Sequence, residues 1–93
     1  MTRHRKHREA LELGSFLRRM SRALVRRAAE GDLDALEVLA LARDDLDAAI
    51  GDAARALHDE FHDPYSWTEI GRVLGVTRQA ARQAYSTNRR GRA

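Results

Sequence analysis

The stretch Ser66-Trp-Thr-Glu-Ile-Gly-Arg-Val-Leu-Gly-Val-Thr-Arg-Gln-Ala-Ala-Arg-Gln-Ala-Tyr-Ser86 decides the fold. Ser66 is followed three residues later by Glu69, which fits a capping box in which each side chain satisfies a backbone N–H left free at a helix start. Gly75 stands where a first helix would end and the chain needs a left-handed residue. Thr77 can cap a second helix. The stretch therefore predicts two short helices joined by a tight turn.

The apolar and small residues of this stretch recur at helical spacing. Ile70 and Leu74 stand four apart on the first helix, and Gly71 leaves room for a second helix to cross closely. Ala81 and Ala84 stand three apart on the second helix and are small enough for the same close crossing. Such a short turn containing glycine typically sets two helices at a steep angle.

Residues 66–86, about 21 of the 93, resemble the helix-turn-helix DNA-binding proteins. The closest type is the Trp-Thr-Glu-Ile-Gly … Leu-Gly-Val-Thr-Arg-Gln-Ala pattern of many small bacterial and phage regulators, and the resemblance is to a motif. It implies that Gly75 is the turn glycine and Gly71 the small packing residue. It also implies that Thr77 to Ser86 form the recognition helix; the DNA-reading helix is predicted to span residues 77–88, with its end frayed after Ser86.

The outward positions of the second helix carry hydrogen-bonding side chains and no acidic residue. Arginine suits the O6/N7 edge of guanine and glutamine the N6/N7 edge of adenine. The residues predicted to read bases are Thr77, Arg78, Gln79, Arg82 and Gln83. Those predicted to hold DNA phosphates are Ser66, Arg72, Tyr85, Ser86, Arg89, Arg90 and Arg92, together with Arg3 and Arg5 of the N-terminal arm. Packing is the alternative for Tyr85, and an ordinary solvated helix face is the alternative for the whole set.

Composition limits the class of protein. A chain of 93 residues predicts one domain, and one proline with few β-branched residues predicts an all-α fold. Zero cysteines exclude disulfides and thiolate metal sites. The sequence contains no run of 18 apolar residues, which argues against a membrane span. The basic N-terminus does not lead into an apolar stretch, so a cytoplasmic protein is expected.

Catalysis and metal binding are not predicted. No nucleophile–base pair and no phosphate-cradling glycine loop occurs in the sequence, so no enzyme and no cofactor are expected. His58 and His62 stand four apart, as in zinc peptidases, but no third ligand is evident. His4 and His7 lie in a basic segment without an acidic or thiol companion.

Charge is distributed unevenly along the chain. Residues 1–30 hold nine basic and three acidic residues, residues 31–63 hold two and ten, and residues 64–93 hold six and one, which gives +6, −8 and +5. A polyanion would be attracted to both ends and repelled by the middle. Any nucleic-acid surface is therefore expected at the ends of the chain.

Two longer helices are predicted before the motif. Leu13, Leu17, Met20 and Leu24 form an a/d-like seam over residues 9–29, whose arginines are expected to pair mostly with the acidic segment rather than with DNA. Gly31 breaks this helix and Asp32 can cap the next. Residues 33–61 form one long helix or, alternatively, two pieces kinked near residues 44–47, with residues 46–61 supporting the motif. The short connection implies an antiparallel hairpin over residues 9–63.

The two helices of the hairpin each carry a stripe of apolar residues, and together these stripes are more than one small chain can bury. We therefore expect a homodimer with isologous contacts, and a long hairpin without a partner is the alternative. The residues predicted at this interface are Leu13, Leu17, Met20, Leu24, Leu36 and Leu39. Residues 1–8 are expected to be a basic flexible arm, residues 64–88 the helix-turn-helix unit and residues 89–93 a basic tail.

The sequence thus predicts an all-α protein of about four helices, a long antiparallel hairpin followed by a C-terminal helix-turn-helix. The expected function is sequence-specific binding of double-stranded DNA by a homodimeric transcriptional regulator. Three alternatives stay open: a sequence-tolerant nucleoid-associated protein, a sigma-like promoter or polymerase adaptor that uses the acidic helix 33–61 to dock a transcription-machinery partner, and an interaction module that binds no nucleic acid.

Overall fold

The computed structural model describes residues 2–62 and 64–86, with side chains from residue 6 onward. It contains α1 (Thr2–Ala29), α2 (Leu33–Arg55), α3 (Trp67–Leu74) and α4 (Arg78–Tyr85), and a single π-helical turn, Ala56–Glu60, follows α2. Within the described residues there is no strand. The prediction of an all-α fold with about four helices is confirmed. The chain divides into two compact units, Met1–Arg43 (unit 1) and Asp44–Ala93 (unit 2).

In unit 1, a three-residue turn joins α1 to α2. Gly31 has a φ of 98°, a left-handed conformation that favours glycine. Asp32 accepts from Arg27 Nε at 3.1 Å through Oδ2 and from the backbone N–H of Ala35 at 3.3 Å through Oδ1. The predicted helix break at Gly31 and the cap at Asp32 are therefore confirmed.

The two helices of unit 1 bury little apolar surface. Ala35, at 2% exposure, is the one buried residue among residues 6–43. We expected α1 to cover part of the α2 stripe, but Leu13, Leu17 and Leu36 are each more than half exposed. The hydrophobic faces of unit 1 thus remain open within one chain.

The first helix starts earlier than the sequence suggested. A flexible arm over residues 1–8 was expected, but α1 begins at Thr2. Arginine and lysine are good helix formers, and extending an existing helix costs no new nucleation. Residues 2–8 therefore continue the helix predicted from residue 9.

The second helix runs without a break through residues 44–47, which decides between the two alternatives left open above. Its hydrogen-bonding pattern changes only after Arg55, where Phe61 N–H donates to Ala56 C=O at 3.0 Å across a π turn. Such turns insert an extra residue into a helix and change the direction of the side chains that follow. Here the turn precedes the loop that leads into α3.

Unit 2 has a small core formed by α2, α3 and α4. The core consists of the buried residues Ala54, Trp67, Ile70 and Ala81, and the partly buried Leu74 and Tyr85 pack against them. Trp67 of α3 lies in the same buried cluster as Ala54 of α2. Full burial of one large apolar side chain stabilises a fold by about 1.5–3 kcal/mol, so Trp67 and Ile70 carry much of this core.

The helix caps and the turn glycine predicted for α3 and α4 are present in the structure. Ser66 Oγ accepts from Glu69 N–H at 3.2 Å and Glu69 Oε1 accepts from Ser66 N–H at 2.9 Å, which completes the capping box. Gly75 ends α3 in a left-handed conformation with a φ of 75°. Thr77 Oγ1 accepts from Ala80 N–H at 3.0 Å and caps α4.

The close approach of α3 and α4 depends on two small residues. A Cβ on Gly71 would lie 2.8 Å from the backbone oxygen of Val76, closer than real Cβ atoms come to any neighbour. Ala81 is 0% exposed. The expectation for Ala84 was wrong, because this residue is exposed and Ala81 alone makes the crossing.

Candidate nucleic-acid interface

One side of α4 is exposed, and every side chain on it can form hydrogen bonds. Arg78, Gln79, Arg82, Gln83 and Ser86 are all exposed, and at 100° per residue they span an arc of about 140° around the helix. α4 carries no acidic residue. Four of the predicted base-reading residues, the two arginines and the two glutamines, therefore share one surface of α4.

The opposite side of α4 holds the helix in place. Ala81 is fully buried against Trp67, Ile70 and Ala54 of the core. Tyr85 packs beside the same core, and its ring Cδ1 lies 3.3 Å from where a Cβ on Gly51 would be. The exposed arc therefore sits on a helix that is fixed from behind and at its start, where Thr77 caps it.

The predicted phosphate-binding residues are less uniform than the base-reading residues. Ser86 is exposed at the end of α4, whereas Ser66 Oγ donates to Glu69 Oε1 at 3.2 Å and stands beside that carboxylate. Arg72 is exposed and lines an apolar groove between α2 and α3. Tyr85 packs with its ring, so the packing alternative holds for the ring and leaves its hydroxyl as the only part for phosphate.

The remaining residues predicted to hold phosphates are arginines near the two ends of the chain. Arg89, Arg90 and Arg92 are outside the described residues, and so are the side chains of Arg3 and Arg5, whose backbone belongs to α1. Their predicted contacts with phosphates stay predictions.

Sequence reasoning missed the structural role of His58. Its ring stacks on Trp67 with centroids 4.4 Å apart. Its Nδ1 donates a hydrogen bond to the carbonyl oxygen of Tyr65 at 2.8 Å, because a carbonyl oxygen can only accept. Leu57 C=O also accepts from Tyr65 N–H at 3.1 Å. The π turn and the loop before α3 are thereby joined, and no local sequence signal marks such a contact.

The predicted dimerisation residues lie in unit 1 and are accessible. Leu13 is 68% exposed, Leu17 51%, Met20 45% and Leu36 57%, and Leu24 and Leu39 are partly buried. Phe16 and Leu41 extend the exposed apolar surface. Exposed large apolar residues at helical spacing are candidates for an interaction site.

Over the described stretches 2–62 and 64–86, no three His, Asp or Glu side chains gather as they would around a metal ion. Among these same residues no helix is long and apolar enough to cross a bilayer.

Comparison with known proteins gives no relative. No family model, curated protein or solved structure matches the chain.

Proposed function

We propose that the chain is a transcriptional regulator that binds double-stranded DNA, with α3 and α4 as a helix-turn-helix and α4 in the major groove. The observation that carries the proposal is the acid-free, hydrogen-bonding arc of α4, which lies opposite the buried Ala81. The major groove is about 12 Å wide and admits a helix with its side chains. A helix anchored on one side and polar on the other fits such a groove.

The arc supplies the two side-chain types that recognise purine edges. Arg78 and Arg82 stand one turn apart and can each donate two hydrogen bonds to guanine, and Gln79 and Gln83 can pair with adenine in the same way. Each such pair discriminates against a wrong base by about 1–3 kcal/mol. Thr77 lies at the start of the helix, next to the bases that an N-terminal turn meets, and Ser86 reaches the backbone.

A second copy of the chain is part of this proposal. Unit 1 buries almost none of its apolar surface by itself, and its exposed leucines recur at helical spacing on both of its helices. Isologous pairing of two such faces would cover them. A dimer presents two recognition helices, so its site on DNA would be an inverted repeat. The expected location of such a regulator is the nucleoid of the cytoplasm.

Binding to a labelled mixed-sequence duplex of about two helical turns tests DNA binding itself. Fluorescence anisotropy at low salt should show binding that weakens linearly on a log–log plot as salt rises, with a slope of about −0.9 for each phosphate neutralised. The double variant Arg78→Ala, Arg82→Ala should bind more weakly and with a shallower slope. Ala84→Ser, which changes an exposed residue of α4 outside the arc, should bind like the wild type.

An absence of binding at low salt would refute the proposal. Equal loss of binding in Ala84→Ser and in the double arginine variant would show that the arc is not the contact surface.

A further inference from the structure

Unit 2 has an apolar groove on the side of α3 that faces α2. The groove has a volume of about 560 Å³ and lies between the last turns of α2 with the π turn and one flank of α3. Ile50, Ala53 and Leu57 form one wall, and Ile70 and Val73 form the other.

The apolar side chains at the mouth of this groove are exposed. Val73 is 85% exposed, Leu57 41% and Ile50 38%. A single exposed aliphatic residue is ordinary, but three around one concave surface indicate a binding site. No described residue of α4 lines the groove, so a partner there would leave the arc of α4 accessible.

The α2 wall of the groove belongs to an acidic segment of the chain. Between residues 44 and 60 the chain holds six acidic residues and one basic residue, Arg55, whose Nη2 lies 2.6 Å from Asp52. Asp47 is exposed and precedes Ile50 by three residues, which places both on one side of α2. Glu69 lines the groove itself, with Arg72 as its one basic neighbour. The surrounding field therefore favours a cationic occupant and repels a polyanion.

We propose that the groove binds a basic amphipathic helix of a partner protein. Its apolar residues at i, i+3 or i+4, and i+7 would fill the space between Ile50, Leu57 and Val73, in the helix-in-groove mode. Its lysines or arginines would lie along the acidic α2. This surface goes beyond the proposed DNA contact, and its test does not require DNA.

The test titrates the full ¹⁵N-labelled chain with a synthetic probe, an amphipathic helical peptide with leucines on one face and lysines on the other. Amide shifts should change around Ile50, Leu57 and Val73. Val73→Asp should weaken binding at least tenfold, whereas Thr68→Asp, which adds the same charge at an exposed site of α3 outside the groove, should not. A peptide with glutamates in place of the lysines should bind at least tenfold more weakly.

Other occupants give different outcomes. Equal binding by a peptide with scrambled leucines, or no difference between the two aspartate variants, overturns the proposal. If Val73→Asp lowers self-association in sedimentation while the probe does not bind, the groove is an interface between copies of this chain. If an apolar dye binds the groove and the probe does not displace it, the ligand is a small molecule. Failure of DNA binding in the anisotropy experiment leaves all of these readouts intact.

Discussion

At Gly71 the backbone of the turn that leads into α4 passes too close to α3 for any side chain. The backbone oxygens of Val76 and Thr77 would lie 2.8 and 3.1 Å from an added Cβ. Backbone atoms cannot rotate away as the end of a flexible side chain can. The turn between α3 and α4 therefore depends on this glycine as much as on Gly75, whose φ of 75° sets the direction of the chain.

Gly71→Ala should destabilise the protein by about 1–3 kcal/mol, the usual cost of an overpacked site. Thermal unfolding followed by circular dichroism measures the loss. Gly14→Ala is the matched control, because a Cβ there meets only the end of the Arg18 side chain at 3.8 Å. It should leave stability unchanged or raise it by about 0.5–1 kcal/mol, since alanine favours a helix over glycine. Equal effects of the two variants would contradict the close crossing of α3 and α4.

Individual residues also show which contacts can be predicted from the sequence and which cannot. The caps at Ser66 and Thr77 and the turn at Gly75 were predictable because their hydrogen bonds and dihedral angles are local. The contact of Gly51 with Tyr85 and that of His58 with Tyr65 were not, because they depend on how distant segments pack. Ala84 resembled Ala81 in sequence, yet only the helix direction in the folded state determines which of the two is buried.

At the scale of elements, α3 and α4 are short, with eight residues each. Isolated helices of this length are not stable in water, so caps and packing must hold them. The Thr77 hydroxyl accepts one of the backbone N–H groups left free at the start of α4. The surface proposed to read DNA thus depends on a single side-chain cap at its first turn.

Thr77→Ala should lower the free energy of unfolding by about 1 kcal/mol, the usual effect of removing such a cap. Urea denaturation without DNA measures this change apart from any role of Thr77 in binding. Thr68→Ala removes the same atoms from an exposed site in α3 and should change stability by less than about 0.5 kcal/mol. If Thr68→Ala were as destabilising, the loss could not be attributed to the cap.

Helix boundaries that depend on local residues were predictable from the sequence, and the others were not. Gly31 ends α1 as predicted, whereas the π turn after Arg55 was not foreseen. A π turn has no compositional signature, because the residues of Ala56–Glu60 suit an α-helix equally well. The start of α1 at Thr2 was missed because charge without an apolar seam resembled an unfolded arm.

At the scale of the whole molecule, exposed apolar surface is the main unexplained feature of one chain. Among the residues that the structure describes, seventeen large hydrophobic side chains are more than a third exposed, and ten of them lie in unit 1. The proposed second copy would cover this surface in unit 1, and the proposed basic helix would cover the groove of unit 2. The arc of α4 would then remain accessible for the proposed contact with DNA.

Leu17→Asp should raise the dissociation constant of the homodimer at least about 100-fold, because each leucine at such an interface stabilises it by about 1.5–3 kcal/mol and symmetry counts the loss twice. Sedimentation velocity across micromolar concentrations measures the change. Arg22→Asp puts the same carboxylate about 140° around α1 and should leave the dimer intact. A wild-type chain that is monomeric well above micromolar concentration would contradict the dimer.

The proposal that α4 reads base sequence can be tested by selection from a randomised duplex library at near-physiological salt. Wild type and Arg78→Ala are selected in parallel. We expect the wild type to enrich an inverted repeat with half-sites about one helical turn apart, and Arg78→Ala to lose preference at one base pair in each half-site, by about 1–3 kcal/mol. Retention of DNA without any enriched sequence, or the same motif from both proteins, would contradict it.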